Sequence, residues 1–149
     1  MLLKGHAGLT LLILSPILFT LDLIDFKWVM MLIFAVGFSW LPDIDLCFKG
    51  MHRTSTHSVL FAVTVGVVFG FLLNYAGMWV VGFLSAFVGT ICHLLGDILT
   101  PTTFEPFTPF LHVKVGYELF KSEDTLNNAL MILGSLAFML YLARYAVTL

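Results

Sequence analysis

Five apolar runs occupy most of this chain of 149 residues. A helix needs about 20 residues to cross the hydrocarbon layer of a bilayer, so five runs use nearly the whole length. Hydrophobic residues make up 60% of the chain and charged residues 11%, whereas about a quarter of the residues in soluble domains are charged. We therefore expect an all-α integral membrane bundle, with no separate soluble domain.

The runs define about five transmembrane helices in a single domain that spans residues 1–149. Their expected limits are residues 7–21, 28–41, 58–75, 78–99 and 125–147. The second run covers only about 21 Å at 1.5 Å per residue, so this short helix should end within the membrane boundary, at Pro42.

The segment 100–124 contains three prolines and then alternates apolar with polar residues from Leu111 to Leu119. A period of two is typical of an extended segment. Because an unpaired strand cannot lie in lipid, we expect this segment to rest at the interface or to fold over the helix ends as a lid.

Small residues at four-residue spacing occur in the third and fourth runs, as Gly66 with Gly70 and Gly82 with Ala86. Such pairs allow helices in a membrane to approach closely. They predict packing within the bundle, and the Gly66/Gly70 face is also a candidate contact for an oligomer.

The distribution of Lys and Arg predicts the orientation of the bundle. The side that carries the N-terminus holds Lys4, Lys49, Arg53, Lys114 and Lys121, and the opposite side holds Lys27 and Arg144. Basic residues are enriched on the cytoplasmic side of membrane proteins. We therefore expect a protein of the cell (inner) membrane with a cytoplasmic N-terminus.

Ionisable side chains are rare within membranes and indicate functional sites. In this chain they lie at the ends of the runs: His6 begins the first, Asp43 and Asp45 follow the second, His52, Arg53 and His57 precede the third, and His93 and Asp97 end the fourth. Because successive spans alternate in direction, these four segments should emerge on one side of the membrane. By the charge count, that side is cytoplasmic.

The spacing of these residues suits a metal site. His93 and Asp97 are four apart and share one face of a helix. Asp43 and Asp45 follow Pro42, where an extended backbone would direct both carboxylates to the same side. Nitrogen and oxygen donors without thiolates favour zinc, manganese or iron, as one ion or as two about 4 Å apart. The candidate ligands are His6, Asp43, Asp45, His52, His57, His93 and Asp97.

Four ordered motifs resemble those of the YdjM-like family of predicted membrane-bound, metal-dependent hydrolases. They are Gly5-His6, Leu41-Pro42-Asp43-Ile44-Asp45, the segment His52–Ser58 and the segment His93–Pro101. The resemblance implies that the same seven residues are metal ligands. The spacing HxxxDxxxP from His93 to Pro101 is also similar to that of zinc-dependent phospholipase C and related single-strand nucleases, which implies phosphoester hydrolysis.

A hydrolytic site of this kind would use Arg53, His57 and Asp97 as catalytic residues. The Arg53 guanidinium would bind phosphoryl oxygens, and an unliganded carboxylate or histidine would transfer the proton. The expected substrate is a membrane lipid or isoprenoid phosphate. Nucleic acid is not an expected partner, since the net charge is −2 and no basic stripe is present.

The same His and Asp residues are also compatible with three other functions. A metal could join the helices of a membrane scaffold or regulatory protein, because structural and catalytic sites share ligand types. A metal-ion transporter would place its ligands near the midplane, not at span ends. A metal-independent lipid phosphatase also has an HxxxD signature, but it needs an arginine upstream, and residues 86–92 contain none.

Two further polar residues occur in the segment 100–124. Glu105 is a candidate general base, although a solvated loop residue is the simpler interpretation. His112 has no partner by spacing and is expected to lie at the interface.

Overall fold

Five α-helices form the bundle in a computed structural model that describes residues 1–47, 55–101, 103–117 and 124–148. The helices are α1 (Leu3–Thr20), α2 (Phe26–Phe38), α3 (Val59–Asn74), α4 (Trp79–Ile98) and α5 (Asp124–Thr148). Two 3₁₀ segments, Leu41–Cys47 and Ser55–His57, lie between α2 and α3. The expected all-α membrane bundle is confirmed.

Four helical stretches of the described residues are long and apolar enough to cross a membrane. They are Leu3–Thr20, Phe26–Ile44, Trp79–Ile98 and Thr125–Val147. The remaining apolar helix, α3, has 16 residues and would rise about 24 Å. The hydrophobic composition of the chain is therefore accounted for by apolar helices, four of which are long enough to cross a bilayer.

Helix α4 lies at the centre of the bundle and packs against α1, α2 and α3. Helix α5 packs along α1, and the two run parallel: Asn127 contacts the start of α1, while the Tyr141 hydroxyl donates to the Leu23 carbonyl at 2.8 Å beyond its end. This arrangement puts the beginnings of α1, α3 and α5 and the ends of α2 and α4 at one end of the bundle.

Glycines allow the closest helix crossings. A Cβ at Gly134 of α5 would overlap the backbone of Gly8 in α1, and a Cβ at Gly89 of α4 would overlap the carbonyl of Ala35 in α2. Without a hydrophobic drive between helices in lipid, such backbone contact is a main source of packing energy.

The Gly66/Gly70 pair packs within the chain. A Cβ at Gly66 would lie 3.1 Å from the Phe83 ring, and one at Gly70 would lie 3.3 Å from Phe83 and Trp79. Both glycines are buried against α4. They therefore make the predicted helix contact within the chain, and an oligomer contact through this face stays a prediction.

The backbone after α2 differs from the expected extended form. Helix α2 ends at Phe38, and residues Leu41–Cys47 form a 3₁₀ helix that contains Pro42 and Asp43. Because a 3₁₀ helix has three residues per turn, positions two apart do not share a face. The prediction of an extended backbone from Asp43 to Asp45 is therefore wrong. Helix α1 also begins earlier than expected, at Leu3 instead of Ala7.

The segment after α4 folds back over the ends of the helices. Phe104 pairs with Val115 in an antiparallel bridge, the Tyr117 amide donates to the Ile98 carbonyl, and the Val59 amide donates to the Pro106 carbonyl at 2.8 Å. The extended character that the alternating pattern predicts is thus limited to one bridge among the described residues. The segment covers the start of α3 and the end of α4.

Candidate functional site

The end of the bundle covered by this loop buries a cluster of histidines and aspartates from four segments. His6 belongs to the first turns of α1, Asp43 to the 3₁₀ helix after α2, and His57 to the turn before α3. His93 and Asp97 lie on the last turns of α4. The three histidines are fully buried, Asp97 is 1% exposed and Asp43 is 15% exposed. We refer to these five residues as the His/Asp cluster.

The donor atoms of the cluster lie within a narrow range of distances. Nε2 of His93 is 3.2 Å from Nε2 of His57. The Asp97 carboxylate lies 3.4 Å from Nε2 of His6, 3.5 Å from that of His57 and 3.6 Å from that of His93. The Asp43 carboxylate lies 3.6 Å from His93 and 3.8 Å from His57.

These distances fit a set of ligands around one small ion. Donors about 2.0–2.1 Å from a tetrahedral zinc ion lie about 3.3–3.4 Å from one another. Two trios, His6 with Asp43 and His93, and His57 with His93 and Asp97, have donor atoms that all lie within 4.8 Å of one another. Both trios contain His93, and one imidazole nitrogen coordinates one ion. The cluster could therefore hold a single ion.

The orientation of His93 favours such a role. Its Nδ1 lies 2.7 Å from the backbone carbonyl of Ser39. Because a carbonyl only accepts, Nδ1 must carry the proton, and the lone pair of Nε2 faces the cluster. A second hydrogen bond of this kind commonly fixes the tautomer of metal-binding histidines.

His57 is oriented by its position just before a helix. Ser58 caps α3 by accepting a hydrogen bond from the Phe61 amide at 3.1 Å, which fixes where the helix begins. The Thr56 hydroxyl lies 3.1 Å from Nδ1 of His57. The Phe104 ring of the loop lies 6.1 Å from the imidazole of His57. The loop therefore covers this side of the cluster.

His6 depends on a glycine of α4. Its ring stacks on that of His93 at 3.9 Å, and a Cβ at Gly96 would lie 2.9 Å from Nδ1 of His6. Neither nitrogen of His6 has a hydrogen-bond partner among the described residues. Its Nε2 has the Asp97 carboxylate 3.4 Å away as an ion-pair contact, and a ligand at this place would satisfy the buried ring more fully.

An amine also reaches the cluster. The amino group of Met1 lies 3.0 Å from Oδ1 of Asp97. The buried carboxylate is thus surrounded by groups that can carry positive charge, as a membrane interior requires.

Three predicted site residues lie outside the described side chains. Asp45 belongs to the 3₁₀ helix by its backbone alone, and His52 and Arg53 fall in the range 48–54. Their roles as ligands and as a phosphate-binding residue stay predictions.

The two polar residues of the loop form a pair with each other. Nδ1 of His112 lies 2.8 Å from Oε2 of Glu105, so the expectation that His112 has no partner is wrong. The hydrogen bond from His112 holds the pKa of the exposed Glu105 carboxyl below its usual value. This pair lies in the loop, separate from both trios of the cluster.

Sequence reasoning missed the groups that orient the cluster. The Ser39 carbonyl follows from the turn after α2, which no side-chain pattern marks. Gly96 stands beside Asp97, within the motif from His93 to Pro101. The position of Gly96 next to the predicted ligand Asp97 was therefore the sequence signal that could have indicated this contact.

Comparison with known proteins gives one family. No curated protein and no solved structure matches the chain. The family of the YdjM inner membrane protein matches residues 1–149. A match over the whole chain establishes membership, and the protein therefore belongs to the YdjM inner membrane protein family.

Proposed function

We propose that this membrane protein is a metal-dependent hydrolase of a lipid phosphoester. The observation that carries the proposal is the convergence of His and Asp donors from four segments into two trios that share His93, with the donor atoms of each trio within 4.8 Å of one another. Zinc is the preferred ion for this mixture of imidazole and carboxylate, and manganese and iron have similar preferences.

The ligands would come from His6, Asp43, His57, His93 and Asp97, and three of them on a tetrahedral ion would leave the fourth position for water. Asp45 and His52 are proposed to complete the site or to hold a second ion. When bound, such an ion lowers the pKa of water and withdraws charge from a phosphoryl oxygen.

The residues of the chain hold the reactants and move the proton. His93 keeps its Nδ1 proton on the Ser39 carbonyl and so presents Nε2 to the cluster. Asp97 lies within 3.6 Å of the imidazoles of His6, His57 and His93, and it would stabilise whichever of them is protonated. A histidine or carboxylate of the cluster that is not a ligand, such as His57 when His6, Asp43 and His93 hold the ion, is the proposed proton carrier, and Arg53 is the proposed partner of the phosphoryl oxygens.

The proposed reaction consumes one water. The water oxygen forms a bond to phosphorus, the P–O bond to the lipid alcohol breaks, and the alcohol leaves with a proton supplied by the site. Because the cluster lies at the ends of the spanning helices, a phosphate at the membrane edge could reach it. The cation count supports a cytoplasmic position for this edge.

Metal analysis tests the first half of the proposal. Protein purified without chelator should carry about one equivalent of zinc, manganese or iron per chain. The variants His57→Ala and Asp97→Asn should lose the ion. His112→Ala is the matched control, since this histidine pairs with Glu105 in the loop and should retain full metal content.

Phosphate release from lipid phosphates tests the second half. Hydrolysis should stop on chelation, return on addition of zinc, and be lost in the two cluster variants but not in His112→Ala. Protein with no stoichiometric metal after reloading with each ion would contradict the proposal.

A second candidate is a structural ion that joins helices, and the near-complete burial of the cluster favours it. In that case the metal would be present, its removal would lower stability, and no phosphoester would be hydrolysed.

A further inference from the structure

An apolar cavity of about 570 Å³ lies between the start of α1 and the end of α2. Its volume is within the range of about 300–1,000 Å³ that is typical of sites for small molecules. Its walls include Leu2, Leu3, Gly37, Trp40, Asp43 and Ile44.

The cavity leads to the His/Asp cluster. Asp43 is the one ionisable side chain among the lining residues, and its carboxylate lies 3.6 Å from Nε2 of His93. Asp43 is also the exposed member of the described cluster, at 15%, whereas His6, His57 and His93 are fully buried. The cavity is therefore a path by which a molecule would reach the cluster through Asp43.

The rest of the cavity suits hydrocarbon, not water. An apolar cavity offers water no polar partners and stays dry. Its rim residues Leu3, Trp40 and Ile44 are 46–50% exposed on the outside of a membrane protein. The cavity thus opens sideways to the lipid chains.

The cavity has a polar end and an apolar end, in the same order as a lipid in one leaflet. Asp43 lies beyond the end of α2, near the membrane edge, and Gly37 lies within α2, deeper in the bilayer. A lipid likewise has its polar head at the edge and its chain directed to the midplane. A molecule so oriented would have its head at Asp43 and its chain along Gly37.

We propose that this cavity holds the hydrocarbon chain of the substrate, so that the substrate is a long-chain amphiphile that enters from the bilayer with its phosphate directed to Asp43. This inference rests on the proposed function and adds the site that holds the hydrocarbon chain and the route of entry.

Gly37 sets the space available to the chain. A Cβ at this position would meet nothing within 4 Å. The opposite wall is fixed, because Nε1 of Trp40 donates to the Leu3 carbonyl at 3.1 Å. A leucine at position 37 would therefore occupy the cavity without displacing its neighbours, and it also favours the helix more than glycine does.

A second apolar cavity supplies the matched control. It has a volume of about 280 Å³, lies between α3 and the loop, and includes Val63 and Phe107 in its walls. None of the five cluster residues lines it. The variant Val63→Leu adds bulk there and should leave the proposed chain position unchanged.

The first arm of the test measures hydrolysis by the zinc-loaded protein in lipid nanodiscs. The probes are hexadecyl phosphate and the water-soluble phenyl phosphate. In Gly37→Leu, the rate on hexadecyl phosphate should fall by about tenfold or more relative to the rate on phenyl phosphate. The ratio should not change in Val63→Leu. An equal effect on both probes, or none, would overturn the proposed chain position.

The second arm measures binding without activity, by photocrosslinking of a diazirine-labelled hexadecyl phosphate. Crosslinks should map to residues 1–3 and 37–44, decrease in Gly37→Leu, and be displaced by unlabelled hexadecyl phosphate but not by phosphatidylcholine. Crosslinks at the second cavity, or equal displacement by phosphatidylcholine, would overturn the inference and leave a bulk lipid in the cavity.

The two arms separate the inference from the function on which it rests. If neither probe is hydrolysed but the specific crosslinks form, the hydrolase proposal fails and the amphiphile site stands. If phenyl phosphate is hydrolysed without specific crosslinks, the hydrolase stands and the amphiphile site fails.

Discussion

The single residue on which the geometry of the cluster depends most closely is Gly96. A Cβ at this position would lie 2.9 Å from Nδ1 of His6, so Gly96→Ala must displace a ring that stacks on His93. Changes to groups that orient metal ligands commonly cost 10–100-fold in affinity. We expect zinc binding to weaken by about that factor, as measured by competition with a chromogenic chelator.

Gly66→Ala is the control for this prediction. Its Cβ would also meet a neighbour at 3.1 Å, but the neighbour is Phe83 in the contact of α3 with α4. This variant should lose stability and keep its affinity for zinc. Equal affinity in Gly96→Ala and the wild type would show that His6 does not contribute to binding.

At this scale the sequence predicts the side chains but not what orients them. His93 and Asp97 were predictable because four-residue spacing on a helix is regular. The Ser39 carbonyl was not, since its direction depends on the change from α to 3₁₀ backbone after Phe38. When an α-helix changes to a 3₁₀ helix, some backbone carbonyls become free to accept other hydrogen bonds. The pattern of side chains does not indicate which carbonyls these are.

Among the helices, α5 depends most on one close crossing. Gly134 leaves no room for a Cβ against the backbone of Gly8, so Gly134→Leu must separate α5 from α1. Overpacking of this kind typically costs about 1–3 kcal/mol. We expect a loss of that size in the free energy of unfolding, as measured by denaturant titration in mixed micelles.

The adjacent Leu133→Ala provides the comparison, because Leu133 is 50% exposed on the outer side of α5. A loss in Leu133→Ala as large as that in Gly134→Leu would contradict the role of the crossing. The sequence pattern did not predict this contact. Gly134 is an isolated glycine within an apolar run, and its partner lies in the first helix of the chain.

The loop over the cluster should respond to pH through Glu105. The hydrogen bond from His112 lowers the pKa of Glu105, so the pair stabilises the loop above the unfolded pKa of this carboxyl. That contribution is lost as the pH falls through the lowered pKa of the folded state. A nitroxide at position 110, which is 77% exposed, should become more mobile on acidification through this range.

Glu105→Gln removes the charge that titrates. In this variant the nitroxide should already be mobile at neutral pH, and its mobility should not change with acid. If the mobility of the nitroxide changes equally with pH in the protein with Glu105 and in Glu105→Gln, another group causes the response. Alternation in the sequence predicted an extended segment but not this pair, because Glu105 and His112 meet only across the turn between them.

For the whole molecule, alternation of span direction was enough to predict which helix ends meet. Five of the seven predicted ligands are described by their side chains, and the structure brings all five together: His6, Asp43, His57, His93 and Asp97. Topology predicts this because successive spans run in opposite directions, which puts the start of α1, the end of α2, the start of α3 and the end of α4 at one end of the bundle. Distances between donors depend instead on packing at Gly96 and Ser39, which topology does not specify.

The orientation of the molecule in the membrane can also be predicted from the distribution of Lys and Arg. By the order of the spans in the sequence, five Lys and Arg residues are expected on the side of the N-terminus and two on the opposite side. At the far end, Arg144 lies 2.6 Å from Asp22 and Lys27 lies 3.3 Å from Asp25. The positive-inside rule therefore predicts that the cluster faces the cytoplasm.

Cysteine labelling of intact cells measures this orientation in a background of Cys47→Ala and Cys92→Ala. A membrane-impermeant maleimide should label Tyr75→Cys, since Tyr75 is 99% exposed in the turn between α3 and α4. It should label Val113→Cys in the loop only after permeabilisation. The reverse pattern would put the cluster on the outer face, and the lateral cavity would then draw its lipid from the outer leaflet instead of the inner one.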